Sequence, residues 1–177
     1  MKKSKTHLIL VVLVFLLASC KKEPKEIQFP EGLPTMSLKD SLQFDPNWYK
    51  AEYKVVTYIR GTKNIYPLWL SWDSYIREFP EVAFIFYFTP KDTASLFEEL
   101  ERNNFYHPFI LDQENIFFTV NEYENTEFRY KDRGNLKQDN FISTIVKGHT
   151  IVEVAAAGMP DLFRLDMREI LNKDTGN

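Results

Sequence analysis

A strand, a loop, a helix and a second strand follow one another between residues 53 and 88, and this order constrains the fold more than any other feature. Residues 53–59 are mostly β-branched or aromatic, which is typical of a strand. Proline at position 67 suits the first turn of a helix, which we expect to run to residue 79. The unbroken apolar run at 82–88 indicates a strand buried on both faces. The pattern predicts a βαβ unit, whose functional groups usually follow the first strand.

The predicted helix carries apolar residues at helical spacing, so it should bury a single face against the sheet. The residues of this face are Leu68, Trp69, Trp72, Ile76 and Phe79. On the opposite face Asp73 and Arg77 are four residues apart, which predicts an ion pair.

Beyond this unit the chain alternates between helical and extended patterns. We predict a helix capped by Asp92 or Thr93 with Glu98, Glu99 and Glu101 in solvent, and a short strand at 108–111. Asp112 is predicted to cap an amphipathic stretch at 114–123, whose buried face would contain Phe117, Phe118, Val120 and Tyr123. A polar loop at 124–139 precedes strands at 141–146 and 149–154. Lys147 and Gly148 join these strands as a hairpin, and a last helix opens near Pro160.

The first twenty residues have the features of a targeting segment. Lysines precede a ten-residue apolar run at 8–17, which is shorter than the roughly 20 residues that span a bilayer. The sequence Leu-Ala-Ser-Cys that ends at Cys20 resembles the bacterial lipobox, which implies cleavage before Cys20 and attachment of lipid such as palmitate to it. A secretory peptide with a chance cysteine is the alternative. We therefore expect a lipoprotein signal peptide at 1–19, a tether at 20–34 with little to bury, and an N-terminal strap at 35–51.

The remaining charge argues against nucleic acid as a partner. Cleavage removes three lysines from 22 basic residues and leaves 19 against 25 acidic residues, a net charge of −6. Such a protein is a poor ligand for nucleic acid or anionic lipid, so the membrane would be reached through the N-terminal lipid. Lys21 and Lys22 after the cysteine favour the outer over the inner membrane of the cell envelope, by resemblance to bacterial sorting rules. Whether the domain faces the periplasm or the medium is left open.

The element order β-α-β-α-β-α-β-β-α resembles the thioredoxin-like fold, and more narrowly the small thioredoxin-like lipoproteins of some Gram-negative bacteria. The stretch 82–92, a strand followed by Pro-Lys-Asp, and the stretch 104–112, an aromatic and proline strand that ends in aspartate, carry the resemblance. It implies an α/β three-layer sandwich with a mixed central sheet and helices on both faces. The domain would occupy residues 52–173, followed by a tail at 174–177.

The sequence departs from that family where its chemistry resides. The family's Cys-x-x-Cys falls on Thr62, Lys63, Asn64 and Ile65, and Cys20 is the only cysteine in the chain. The family's cis-proline is missing as well, and Asp139 or Asn140 occupies its neighbourhood. Exchange of thiols and disulfides needs one thiolate to attack and a second to resolve, so that chemistry cannot be carried over.

Two function classes remain. The first is a redox-inactive binding or accessory module that uses Thr62 to Ile65 and Asn140 as a recognition edge for an envelope protein. The second is a thiol-independent or partner-dependent enzyme. We expect no cofactor and no metal, because His107 and His149 lie on different predicted elements without ligand spacing. A deep polar pocket at the edge with a histidine or carboxylate would favour the enzyme, and a shallow apolar surface would favour binding.

Overall fold

The computed structural model describes residues 25–61, 65–123 and 141–175. Within them a six-stranded sheet has the order β1-β4-β3-β2-β5-β6. The strands are β1 (Thr35–Met36), β2 (Tyr53–Arg60), β3 (Val82–Thr89), β4 (Phe109–Leu111), β5 (Phe141–Lys147) and β6 (Thr150–Val154). The α-helices are α1 (Trp72–Glu78), α2 (Thr93–Arg102), α3 (Ile116–Val120) and α4 (Pro160–Thr175), with 3-10 turns η1 (Pro46–Lys50) and η2 (Tyr66–Trp69).

The strand directions are those of the thioredoxin-like fold that the sequence predicts. Strands β2 and β3 run parallel over their full length, with Tyr53 opposite Val82 and Arg60 opposite Thr89. Strand β5 is antiparallel to β2, and β6 is antiparallel to β5. Helix α4 closes the chain after this hairpin. The predicted fold class, a mixed sheet in an α/β sandwich, is therefore confirmed.

Two apolar cores lie on the two faces of the sheet. Trp72 of α1, Leu100 of α2 and Phe163 of α4 belong to one core. Phe117 of α3 belongs to the other, together with Ile27 from the N-terminal segment. Every residue of β3 is buried, which confirms the prediction from its continuous apolar run.

The single helix predicted at 67–79 is wrong, because the chain forms η2 and α1 with a break between them. Leu70 is extended (φ −77°, ψ 152°), and the Trp72 indole Nε1–H donates to the Pro67 carbonyl at 2.7 Å. The break turns Trp69 outward, so that it is 61% exposed while Trp72 is 2% exposed. The predicted pair of Asp73 with Arg77 does not form among the described residues; Asp73 contacts a histidine instead.

Two other expectations about exposure are also wrong. Glu99, predicted to lie in solvent, is buried, and its carboxylate accepts hydrogen bonds from Arg102 at 2.7 Å and Asn103 at 3.3 Å. Val120, predicted to be buried, is exposed because α3 ends there after five residues. The other apolar residues predicted for that face are buried, namely Phe117, Phe118 and Tyr123.

The N-terminal segment differs from the expected tether from residue 25 onward. Ile27 is buried, and its backbone N–H donates to the His149 carbonyl at 2.7 Å. The Asn121 side chain exchanges hydrogen bonds with the backbone of Gln28 at 2.8 and 2.9 Å. The segment therefore packs against the hairpin and the end of α3, because its few apolar side chains find a site beside the second core.

Two further local predictions are confirmed, and the polar loop predicted at 124–139 lies outside the described residues. Asp92 caps α2 by accepting from the Ala94 N–H, and the hairpin of β5 and β6 turns at Gly148, whose φ is 59°. Within the described ranges, none of the helices is both long enough and apolar enough to cross a membrane.

Candidate functional site

The predicted recognition edge is described only in part. Thr62, Lys63, Asn64, Asn140 and the lipidation residue Cys20 lie outside the described residues. Ile65 is described and buried, and it precedes the first residue of η2. The depth and polarity of a pocket at this edge therefore stay predictions.

The described residues beside that loop form a surface that we call the loop edge: Gly61, Ile65, Tyr66 and Trp69. Gly61 has a φ of 122°, which favours glycine, and its N–H donates to the Thr89 carbonyl at 3.2 Å. Tyr66 and Trp69 are both exposed and meet edge to face, with ring centroids 6.2 Å apart. Two exposed aromatic rings at the end of the first strand offer apolar contact area to a partner.

The loop after β4 supports the same end of the sheet. The buried Asp112 carboxylate accepts from the backbone N–H groups of Ile116 and Phe117, both at 2.8 Å, and so caps α3. The Tyr58 hydroxyl donates to the Asn115 side chain, and burial raises the pKa of Tyr58. These hydrogen bonds hold the loop in place.

A second surface lies at the opposite end of β3. Strand β4 pairs only with Tyr87 and Phe88 of β3, so within the described ranges the first half of β3 has β2 on one side and no strand on the other. The direction of each peptide group follows from two hydrogen bonds. The Phe88 carbonyl accepts from Asp112 N–H at 2.8 Å, on the β4 side, and the Thr89 carbonyl accepts from Gly61 on the β2 side.

Peptide groups alternate in direction along a strand, so Phe86 and Phe84 point to the same side as Phe88. Pairing of Tyr87 with Ile110 uses the Phe86 carbonyl. Among the described residues, no hydrogen bond is formed by the Phe86 N–H or by the N–H and carbonyl of Phe84. A short stretch of open sheet edge results.

This open edge lines a cavity of about 520 Å³, which we call the edge groove. One wall consists of Val82, Phe84 and Phe86 of β3, and the strap supplies Ser41, Gln43 and Trp48. Asp73 and Ile76 of α1 and the segment His107–Pro108 complete it. The volume is in the range of ligand sites in proteins.

A histidine and a carboxylate meet in the groove. His107 Nε2 lies 2.9 Å from Asp73 Oδ1, and the ring stacks on Phe86 with centroids 5.8 Å apart. Burial lowers the pKa of His107, and the Asp73 carboxylate opposes that shift. His107 is 20% exposed and Asp73 is 73% exposed, so the carboxylate stands at the rim.

Sequence reasoning did not predict the edge groove. The sequence gives His107 no ligand spacing and predicts that Asp73 pairs with Arg77. One signal was present in the sequence, because a seven-residue apolar run at 82–88 is followed by a run of only four residues at 108–111. Neighbouring strands of unequal length leave part of the longer one unpaired.

In the described part of the chain, no group of three or more histidine, cysteine or acidic side chains is placed to hold a metal ion.

No protein-family model matches the chain, and no curated protein matches it.

Two solved structures from Bacteroides are similar to the chain. One is the thioredoxin domain of a thiol-disulfide oxidoreductase from Bacteroides vulgatus, with 12% identity over 80% of this chain and 97% of that one, at a TM-score of 0.48. The other is a thiol:disulfide interchange protein from Bacteroides sp., with 12% identity over 80% of this chain and 90% of that one, at a TM-score of 0.43. At this identity the likeness says nothing about activity.

Proposed function

We propose that the protein is a lipid-anchored component of the cell envelope whose thioredoxin-like domain serves as a binding or accessory module and not in thiol chemistry. The carrying observation is the cysteine content: Cys20 is the only thiol, and it stands in the lipobox-like sequence. With Cys20 acylated, neither the attacking nor the resolving thiolate of a disulfide exchange is available.

Support for a binding role comes from two chemically distinct surfaces. The loop edge presents Tyr66 and Trp69, and the edge groove presents unpaired peptide groups beside a carboxylate. The partner in this proposal is another envelope protein, and the membrane is reached through the lipid. The outer membrane is the proposed site, on account of Lys21 and Lys22.

Three measurements test the proposal. Labelling of cells with a fatty acid should mark the wild-type protein and not Cys20→Ala, and membrane fractionation should place the labelled protein with the outer membrane. The full chain in detergent should give no reduction of insulin by dithiothreitol above the uncatalysed rate. Measurable catalysis of insulin reduction, or equal labelling of Cys20→Ala, would contradict it.

A thiol-independent enzyme is the second candidate, because His107 and Asp73 meet in a cavity and a histidine oriented by a carboxylate is a common general base. For this candidate, any turnover found in the native envelope fraction should disappear in His107→Gln and persist in His149→Gln. Turnover that survives His107→Gln would remove the groove from consideration as an active site.

A further inference from the structure

We infer that the edge groove binds an extended peptide segment with a basic side chain, which adds to the open edge of β3 as a short extra strand. This inference rests on the proposed binding role and specifies the partner's chemistry. Its three supports are the free peptide groups of the edge, the acidic rim and the dimensions of the cavity.

The peptide groups select an extended backbone. The Phe84 N–H and carbonyl and the Phe86 N–H point into the groove, spaced as in a strand. Such a row of donors and acceptors is matched by the backbone of another strand, and main-chain bonding of this kind is a recurrent mode of peptide recognition.

The rim selects a positive side chain. Asp73 lines the groove and accepts from His107, whose pKa is lowered by burial. A neutral His107 adds no positive charge to the rim, and among the described residues no lysine or arginine lines the cavity. A lysine or arginine of the bound segment would supply the missing countercharge.

The size of the cavity limits the bound segment to a few residues. A strand advances about 3.3 Å per residue, and a cavity of about 520 Å³ accommodates three to five residues whose outer side chains remain in solvent. The rings of Phe86 and Trp48, which both line the groove, would contact the side chains of the segment that point inward.

The probe is a capped pentapeptide of threonine, valine, lysine, valine and threonine with a fluorophore at its N-terminus. Binding to the full chain in detergent is followed by fluorescence anisotropy. Two derivatives report on main-chain bonding. One is methylated on the backbone amide nitrogen of lysine, and the other on the backbone amide nitrogens of both valines. Successive peptide groups face opposite ways, so only one derivative should lose affinity, by about tenfold or more.

Substitutions at the rim test the charge. Asp73→Asn should weaken the lysine probe about two- to fivefold, as expected for an exposed ion pair. Asp73→Lys should reverse the preference in favour of a probe in which glutamate replaces lysine. Asp161→Asn is the matched control, since this exposed aspartate lies in the first turn of α4, outside the groove.

Several results would overturn the inference: no binding at millimolar probe, equal effects of the two methylated derivatives, or no reversal in Asp73→Lys. A concentration-dependent dimer without probe binding would instead assign the edge to a second copy of the chain and also overturn it. These outcomes are separate from those of the proposed function. If the groove binds no peptide while a partner is still recovered from the envelope with Asp73→Lys, the binding role stands and only its location fails.

Discussion

The two ends of β3 differ in how their peptide groups are used. At the C-terminal end, Thr89 accepts from Gly61 on one side and Phe88 accepts from Asp112 on the other. At the N-terminal half, β2 is present and β4 is absent, so Phe84 has peptide groups that face the edge groove. One strand thus has a closed end beside the loop edge and an open end at the groove.

The two regions therefore offer different chemical groups to a binding partner. Beside the loop edge, the Phe88 and Thr89 carbonyls are both hydrogen-bonded, and the groups that this region offers to a partner are the exposed side chains of Tyr66 and Trp69. In the edge groove the backbone itself is available, and Asp73 adds a charge. A sequence motif describes side chains, which explains why the sequence directed attention to the first region and not to the second.

Hydrogen exchange should give the largest contrast between the two ends. The Ile85 and Tyr87 amides point toward β2, whereas those of Phe84 and Phe86 face the groove. If core amides exchange only through global opening, the Phe84 and Phe86 amides should exchange about a thousandfold faster or more. Amide-resolved exchange by NMR measures this. Equal protection at all four amides would mean that the edge of β3 is covered.

A pair of tryptophans tests the break that shapes the loop edge. Trp72→Ala should lower the free energy of unfolding by about 3–5 kcal/mol, because this indole is buried against Phe86 with ring centroids 5.0 Å apart. Trp69→Ala should change it by about 0.5 kcal/mol or less, since the ring is exposed. Urea denaturation measures both. A large loss in Trp69→Ala would show that residues 67–79 behave as the continuous amphipathic helix that the sequence predicts.

The fold could be predicted because its main determinants are local. The apolar run at 82–88 requires burial on both faces, and Gly148 between two β-rich runs predicts a hairpin. Of the two errors near the site, one depends on a local break in the chain and the other on a contact that is distant in sequence. Trp69 turns outward through the break at Leu70, and Asp73 meets His107, which is 34 positions further along the chain. Helical spacing alone predicts neither the break nor this contact, and it does not predict the groove that β4 leaves open.

Removing the Asp112 cap at the closed end of β3 should lower stability without affecting binding at the open end. Asp112→Ala leaves the Ile116 and Phe117 N–H groups without their acceptor in a buried position, and should cost about 2–3 kcal/mol of stability. Asp92→Ala removes the exposed cap of α2 and should cost about 1 kcal/mol. Thermal and urea denaturation compare the two. Binding of the lysine probe should survive Asp112→Ala wherever the protein is folded, because the groove lies at the other end of β3.

The smallest expected effect is a pH dependence that originates in the groove. Burial lowers the pKa of His107 in the folded protein, while Asp73 opposes the shift. The unfolded chain therefore binds a proton near pH 6.5 before the folded one does, so His107 lowers stability as the pH falls from neutrality through about 6.5 toward its folded pKa. In His107→Phe, which retains a ring against Phe86, the free energy of unfolding should fall less over this interval.

Asp73→Asn should change the pH dependence of stability in the opposite direction to His107→Phe. It removes the carboxylate that opposes the shift, so the pKa of His107 should fall further and the loss of stability on acidification should deepen. Titration of the His107 ring by NMR, with urea denaturation at each pH, measures both quantities in the same variants. A folded pKa above that of an unfolded histidine would mean that Asp73 outweighs burial, and the imidazolium would then neutralise the rim. In that case the preference of the edge groove for a basic segment should weaken below the measured pKa. The same titration therefore tests the charge at the open end of β3.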